Sequence, residues 1–163
     1  MSGILVIGHR GDSAHAPENT LAAFRAALAA GADMVECDMG LTRDLAPVIL
    51  HDATLDRTTD GRGRLSAHTF AEVRRLDAGS WFGPGFAGER IPTLDETLDL
   101  VAGTARLNLE LKPEVLEQAA PDRAAALALD AVRARRLLGY VVFSSFAPEF
   151  LDALRRAEPQ AML

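Results

Sequence analysis

The chain has 163 residues, of which 48% are hydrophobic and 25% charged, and a formal net charge of −6 at pH 7. That is the length of one domain and the balance of an ordinary globular protein. The acidic charge and the lack of a Lys/Arg block argue against general nucleic-acid binding, although a local metal still allows such a protein to hold a phosphate.

Cys37 is the only cysteine, so no internal disulfide is available, and it reads as a small apolar residue facing a helix layer. The N-terminal MSGILVIGHRG lacks the basic segment of a signal peptide. No run approaches the ~18 apolar residues of a membrane span, so a cytoplasmic protein is expected.

In chain order, Ile4–Ile7 is a short apolar run of the kind found in strands buried on both faces, and it ends in Gly8-His9-Arg10-Gly11. Pro17 and Asn19 are helix-start signals, Leu21, Phe24 and Leu28 form an apolar stripe, and Gly31 is placed to stop the helix. Asp33–Asp38 is the next strand. Glu36 and Asp38 share one face of it with Met34, and Val35 and Cys37 point the other way. Pro47–Asp52 reads as a further strand carrying His51. The link before it is short for a parallel crossover. Either an extended link or a hairpin turning near Arg43-Asp44, with His51 paired back near Cys37, brings the histidine to the two acids.

Residues 53 to 90 break the rhythm and read as an insertion folded over one end of the sheet. Thr69–Glu72 is a capping box opening a short helix through Leu76, and Trp81, Phe82 and Phe86 are expected to form a small core of their own. Regularity returns with a second capping box at Thr93–Glu96 and a helical stripe of Leu94, Leu98 and Val101 that ends at Gly103. Leu107–Lys112 alternates leucines with Asn108, Glu110 and Lys112. A helix over about Asp122–Arg136, a strand Tyr140–Phe143 and a helix Pro148–Ala157 follow. Ala161–Leu163 looks like the start of another strand.

The polar residues gather at the ends of apolar strands, which in alternating β/α proteins converge on one ligand-binding rim. Glu36, Asp38 and Glu110 offer hard oxygen ligands suited to Mg²⁺ or Ca²⁺ rather than zinc. Two like charges on an otherwise apolar strand call for a cation. His9 and His51 suggest an acid–base pair, and Arg10 and Lys112 would neutralise an anionic substrate. His15 and His68 fall in loop or cap positions. Together these residues point to phosphodiester cleavage.

The residues also match a family. His9-Arg10-Gly11, Pro17-Glu18-Asn19-Thr20, Glu36-x-Asp38, Leu41-Thr42-x-Asp44 and Pro47-Val48-x-x-His51-Asp52 belong to one motif set. So do Thr54–Thr59, Asp77–Phe82, Ile91-Pro92-Thr93-Leu94 and Glu110-x-Lys112. From residue 4 to 163 this set closely resembles the glycerophosphodiester phosphodiesterases. The resemblance implies a single (β/α)8 TIM-barrel-type domain over residues 1–163, with an insertion after the third strand at about 53–90. It implies hydrolysis of glycerophosphodiesters to glycerol 3-phosphate and an alcohol. Glu36, Asp38 and Glu110 would hold a divalent cation, Mg²⁺ or Ca²⁺. His9 and His51 would exchange general acid and base roles, by way of a cyclic phosphate. A lysophospholipase D-like activity, a related barrel lyase and a non-catalytic fragment are the alternatives.

Two departures stand out. Leu45 occupies the position after Asp44 where the family usually has glycine. A full barrel takes roughly 250 residues, whereas five strands and the start of a sixth are counted here. The expectation is therefore an incomplete barrel, completed by a segment past Leu163 or by a second copy of the chain.

Overall fold

Five strands and five α-helices lie along residues 4–163, the part of the chain described by a computed structural model. They are β1 (Ile7–His9), α1 (Leu21–Ala29), β2 (Met34–Leu41), β3 (Pro47–Ile49) and α2 (Phe70–Val73). After these come α3 (Leu94–Val101), β4 (Arg106–Leu111), α4 (Pro121–Ala134), β5 (Val141–Ser144) and α5 (Pro148–Ala157). Among the described residues no helix is long and apolar enough to cross a membrane.

Four strands are parallel, in the order β1-β2-β4-β5, and Met162 makes an isolated parallel bridge to Val142 on the far side of β5. This is an incomplete (β/α)8 arrangement whose sheet does not close. The remaining strand, β3, runs antiparallel to β2, so the link through Arg43-Asp44 is the hairpin. Met39 pairs with Leu111 on one side and with Ile49 on the other. Thus β3 continues the same edge of β2 that β1 occupies. β1 climbs that edge as far as His9 opposite Glu36, and β3 descends it, with the Leu50 amide donating to the Asp38 carbonyl (3.0 Å). The two strands meet end to end beside Glu36 and Asp38.

The hairpin turns through Leu45, which takes a left-handed φ of 64°. Leucine disfavours this region by roughly 1–2 kcal/mol. The turn is held by the Leu45 amide donating to the Thr42 carbonyl (2.9 Å) and by the Thr42 hydroxyl donating to Asp44 (2.6 Å), and the Leu45 side chain packs against the core.

Period-2 alternation divides the sheet into two chemistries. Val35, Cys37 and Met39 of β2 and Leu107, Leu109 and Leu111 of β4 are fully buried against Phe24 of α1, Leu98 of α3, Leu129 and Val132 of α4 and Leu154 of α5. Each such side chain contributes about 1.5–3 kcal/mol by leaving water. The opposite face carries Glu36, Asp38, Asn108 and Glu110. Cys37 is therefore the buried, small apolar residue that its position on the strand implied.

The insertion has a different core from the one expected. Val48 and Leu50 turn away from the main core and pack with Leu55, Leu65, Val73, Ala78 and Ile91, an aliphatic cluster flanked by Phe70 and Leu76. Trp81, Phe82 and Phe86 stack edge-on to one another, at centroid distances of 5.6 and 5.5 Å, but stay outside this cluster. The tight Gly79–Gly88 loop holds them at the surface, where it wraps around the Asp77 carboxylate.

Gly11 sets how closely α1 approaches the end of β1. Its φ is +81°, and a Cβ there would lie 2.5 Å from the Ala23 carbonyl carbon. Gly31, after α1, has φ +85° but open space around it. Gly11→Ala is expected to cost well over the roughly 1–2 kcal/mol of left-handed strain alone, and Gly31→Ala about that strain. Urea unfolding midpoints of the two variants check this; equal shifts would remove the packing role.

Candidate active site

The inward faces of β2 and β4 bring three carboxylates together. Asp38 and Glu110 are direct cross-strand partners, and Glu36 stands two residues before Asp38 on the same face. One oxygen from each of Glu36, Asp38 and Glu110 lies within 4.8 Å of the others. Glu36 and Asp38 are buried, and Glu110 is partly so.

The loop after β1 supplies much of their surroundings. The Arg10 amide donates to Glu36 Oε2 (2.8 Å), and the Asn19 side-chain amide donates to Asp38 Oδ2 (2.8 Å). Both residues sit at φ 57°, in the left-handed region, and the Asn19 amide donates to the Arg10 carbonyl (3.0 Å). Non-glycine residues hold such conformations where the surroundings over-determine them, commonly at functional sites. Arg10 Nε and Lys112 Nζ approach Asp38 from two sides at 3.7 and 3.8 Å.

These cations do not neutralise the cluster fully. Burial first, and then the Asp38 charge, push Glu36 up to about 7, and burial and Asp38 likewise raise Glu110. Glu36 Oε1 is buried with no hydrogen-bond partner among the described residues. Three converging hard oxygen donors, one of them orphaned, and a pKa raised by crowded negative charge fit a divalent cation.

Two histidines flank the acids. His9 ends β1 with Nε2 3.8 Å from Glu36 Oε2, and its ring is largely exposed. His51 follows β3, and its Nδ1 lies 2.6 Å from Asp52 Oδ1. A cleft of about 400 Å³ opens over His9, Glu36, Asn108, Glu110, Ser144 and Phe146. A neighbouring one of about 350 Å³ is lined by His51, Asp52, Lys112 and Glu114. His15 pairs with Asp12 (2.9 Å) and His68 with the Arg62 carbonyl (3.0 Å), each within its own loop.

All seven residues singled out in the sequence, His9, Arg10, Glu36, Asp38, His51, Glu110 and Lys112, therefore border these clefts or contact their carboxylates. Sequence reasoning gave no role in the site to Glu18, Asn19, Asp52 or Arg57. Asn19 reads as a helix cap, but the cap of α1 is Thr20, whose hydroxyl accepts from the Ala23 amide (3.2 Å). The available signal was the run Pro17-Glu18-Asn19-Thr20, in which cap and site residues are adjacent.

The profile of the glycerophosphoryl diester phosphodiesterase family matches residues 9–163. The chain belongs to this family. A glycerophosphodiester phosphodiesterase of Caldanaerobacter subterraneus is 50% identical over 113 residues, which are 69% of this chain and 46% of that protein. Glycerophosphodiester phosphodiesterase 1 of mouse is 41% identical over 98% of this chain and 47% of its own length. An Oleispira antarctica phosphodiesterase, solved with the product sn-glycerol-3-phosphate, superposes with a TM-score of 0.89 at 38% identity. The match covers 97% of this chain and 64% of that one. The chain thus spans about half the length of these curated relatives.

The charge on Glu36 predicts a pH-dependent response to cations. Its pKa rises from 4.5 to about 7 on folding. Between those values the folded protein keeps a proton that the unfolded chain has lost, so this group lowers stability as pH rises through the window, and most above it. The penalty is on the order of 3 kcal/mol in the absence of a cation. In chelator, the stability of wild type relative to Glu36→Gln should fall from pH 5 to pH 8, and Mg²⁺ or Ca²⁺ should raise the wild-type melting temperature more at pH 8 than at pH 5. Melting curves indifferent to either ion at pH 8 would refute the cation site.

Proposed function

We propose that this chain carries the chemical centre of a glycerophosphodiester phosphodiesterase. It would hydrolyse glycerophosphodiesters to glycerol 3-phosphate and an alcohol. The observation that carries the reading is the convergence of Glu36, Asp38 and Glu110 on one point, with His9 and His51 brought beside it along a single edge of β2. The product bound by the Oleispira relative supports the same substrate class.

Glu36, Asp38 and Glu110 would hold Mg²⁺ or Ca²⁺, which supplies charge neutralisation and polarisation of the phosphate. Arg10 and Lys112 flank Asp38, and their positive charge would hold the non-bridging oxygens and stabilise negative charge developing at phosphorus. One histidine of the His9/His51 pair takes the proton of the glycerol hydroxyl next to the phosphate as that oxygen attacks phosphorus. The other gives its proton to the departing alcohol oxygen, leaving a cyclic phosphate. In the second half-reaction the roles reverse: a proton is taken from water, water opens the ring and the glycerol hydroxyl is reprotonated. Each histidine returns to its starting state.

Purified protein assayed with glycerophosphocholine, glycerophosphoethanolamine and lysophosphatidylcholine tests this and separates it from a lysophospholipase D-like activity. His9→Ala and His51→Ala should each lower kcat by roughly 10²-fold or more, with a bell-shaped pH profile in the wild type, and His15→Ala should change little. A His51→Ala variant with near-normal kcat would overturn the assignment.

We also infer that the β1 edge is covered in the working enzyme, by further chain or by a second copy. Ile4, Leu5 and Val6 are 93%, 58% and 57% exposed beside a strand that, among the described residues, pairs only with β2. Unpaired apolar edges promote association. Light scattering coupled to size exclusion should show the 163 residues by themselves running larger than a monomer. A monomer with a sharp cooperative melt would refute this.

A further inference from the structure

We propose that Arg57 is a positioning residue: one guanidinium, contributed by the insertion, locks Asp52 onto the His51 ring and Glu18 onto the Arg10 side chain. The inference rests on the roles of His51 and Arg10 proposed above. Arg57 Nε donates to Asp52 Oδ2 (2.6 Å) and Nη2 to Asp52 Oδ1 (3.0 Å). Nη1 donates to Glu18 Oε2 (2.8 Å) and Nη2 to Glu18 Oε1 (2.8 Å). Each carboxylate is gripped by two bonds, the planar fork geometry that arginine offers and lysine does not.

Beyond the fork the chain of contacts continues in both directions. Asp52 Oδ1 accepts from His51 Nδ1 (2.6 Å), and Glu18 Oε1 accepts from Arg10 Nη1 (3.0 Å). The bonds from Arg57 are the largest cause holding both Asp52 and Glu18 below the usual carboxylate range. An ionised carboxylate only accepts, so Nδ1 of the neutral His51 ring must carry the hydrogen, which leaves Nε2 as the free lone pair. That is the tautomer an acid–base histidine needs, with one ring nitrogen anchored and the other available.

The geometry separates this role from simple support of the fold. The Arg57 side chain is 44% exposed and lies outside the aliphatic core of the insertion. Its loop is fastened independently by fully buried Leu55, by the Leu55 amide on the Gly63 carbonyl (2.9 Å) and by the Gly63 amide on Asp56 (2.8 Å). What Arg57 joins is the loop after β1 to the residues after β3, the two segments that meet beside Glu36 and Asp38.

The test is ¹⁵N NMR of histidine-labelled protein in its solution assembly, at a pH where the rings are neutral, with His51 assigned through His51→Gln. In the wild type, His51 should show two widely separated ring-nitrogen shifts, with the proton on Nδ1. In Arg57→Gln the two shifts should move toward each other as both tautomers populate, and Arg57→Lys should restore the separation only in part. His15, paired with Asp12 and unconnected to Arg57, should keep its shifts. The readout needs no turnover, so it stands apart from whether the protein hydrolyses a phosphodiester. Folded Arg57→Gln and Arg57→Lys proteins with an unchanged His51 tautomer would overturn the proposal. So would failure of both variants to fold, which would make Arg57 a support of the fold.

Discussion

Three carboxylates crowded onto adjacent inward positions of two strands set the terms for the rest of the molecule. Buried like charges repel, and a chain that places Glu36, Asp38 and Glu110 within 4.8 Å must answer that repulsion. The answers are visible around them. The Arg10 amide is turned onto Glu36, the Asn19 amide onto Asp38, and Arg10 and Lys112 stand on either side of Asp38. Two left-handed residues in one short loop are the conformational cost of bringing the amides there. What stays uncompensated, the orphaned Glu36 oxygen and its raised pKa, marks where a divalent cation fits.

The shared edge of β2 is the second constraint. A parallel neighbour can carry only one histidine to the end of its own strand. Here β1 pairs with Met34–Glu36 and the hairpin arm β3 with Met39–Leu41, so two short strands deliver His9 and His51 to the same acids from opposite directions. The arrangement needs a tight reversal after Leu41, and Leu45 accepts an unfavourable φ to make it. Its apolar packing and the Thr42–Asp44 bonds replace the freedom a glycine would have brought.

The insertion is fastened to the barrel portion on two sides. Arg57 reaches Glu18 in the loop after β1, and Arg64 and Ser66 bind Glu117 beyond β4, where Gln118 also donates to the Ser66 carbonyl (3.0 Å). Its aliphatic core continues onto the inward face of the hairpin, beside Gly40, through Val48 of β3 and the following Leu50. The segment therefore behaves as a brace across the His51 side of the site, and Trp81, Phe82 and Phe86 remain outside its core.

Much of this was legible in the residues themselves. The alternation Leu107-Asn108-Leu109-Glu110-Leu111 determines which side chains face the helices and which face inward, because a strand has a period of two. The boxes at Thr69–Glu72 and Thr93–Glu96 determine where two helices begin, because the cap bonds are local. The same locality made Glu36, Asp38, Glu110 and the two histidines stand out against apolar strands.

Tertiary structure decided the rest, where the partners are far apart in sequence. The short link after Leu41 disfavours a parallel crossover but leaves an extended link and a hairpin equally open; the pairing of Met39 on both sides settles it. Asn19 looks like a helix cap until Asp38 is beside it, and Arg57 looks like a solvated charge until Glu18 and Asp52 lie on either side. The aromatic run Trp81-Phe82 looks like a core until the loop around Asp77 holds it outside. A strand or a cap is fixed by neighbours within a few residues. A charge network is fixed only when the fold brings its members within hydrogen-bonding distance, and that information is spread over the whole chain.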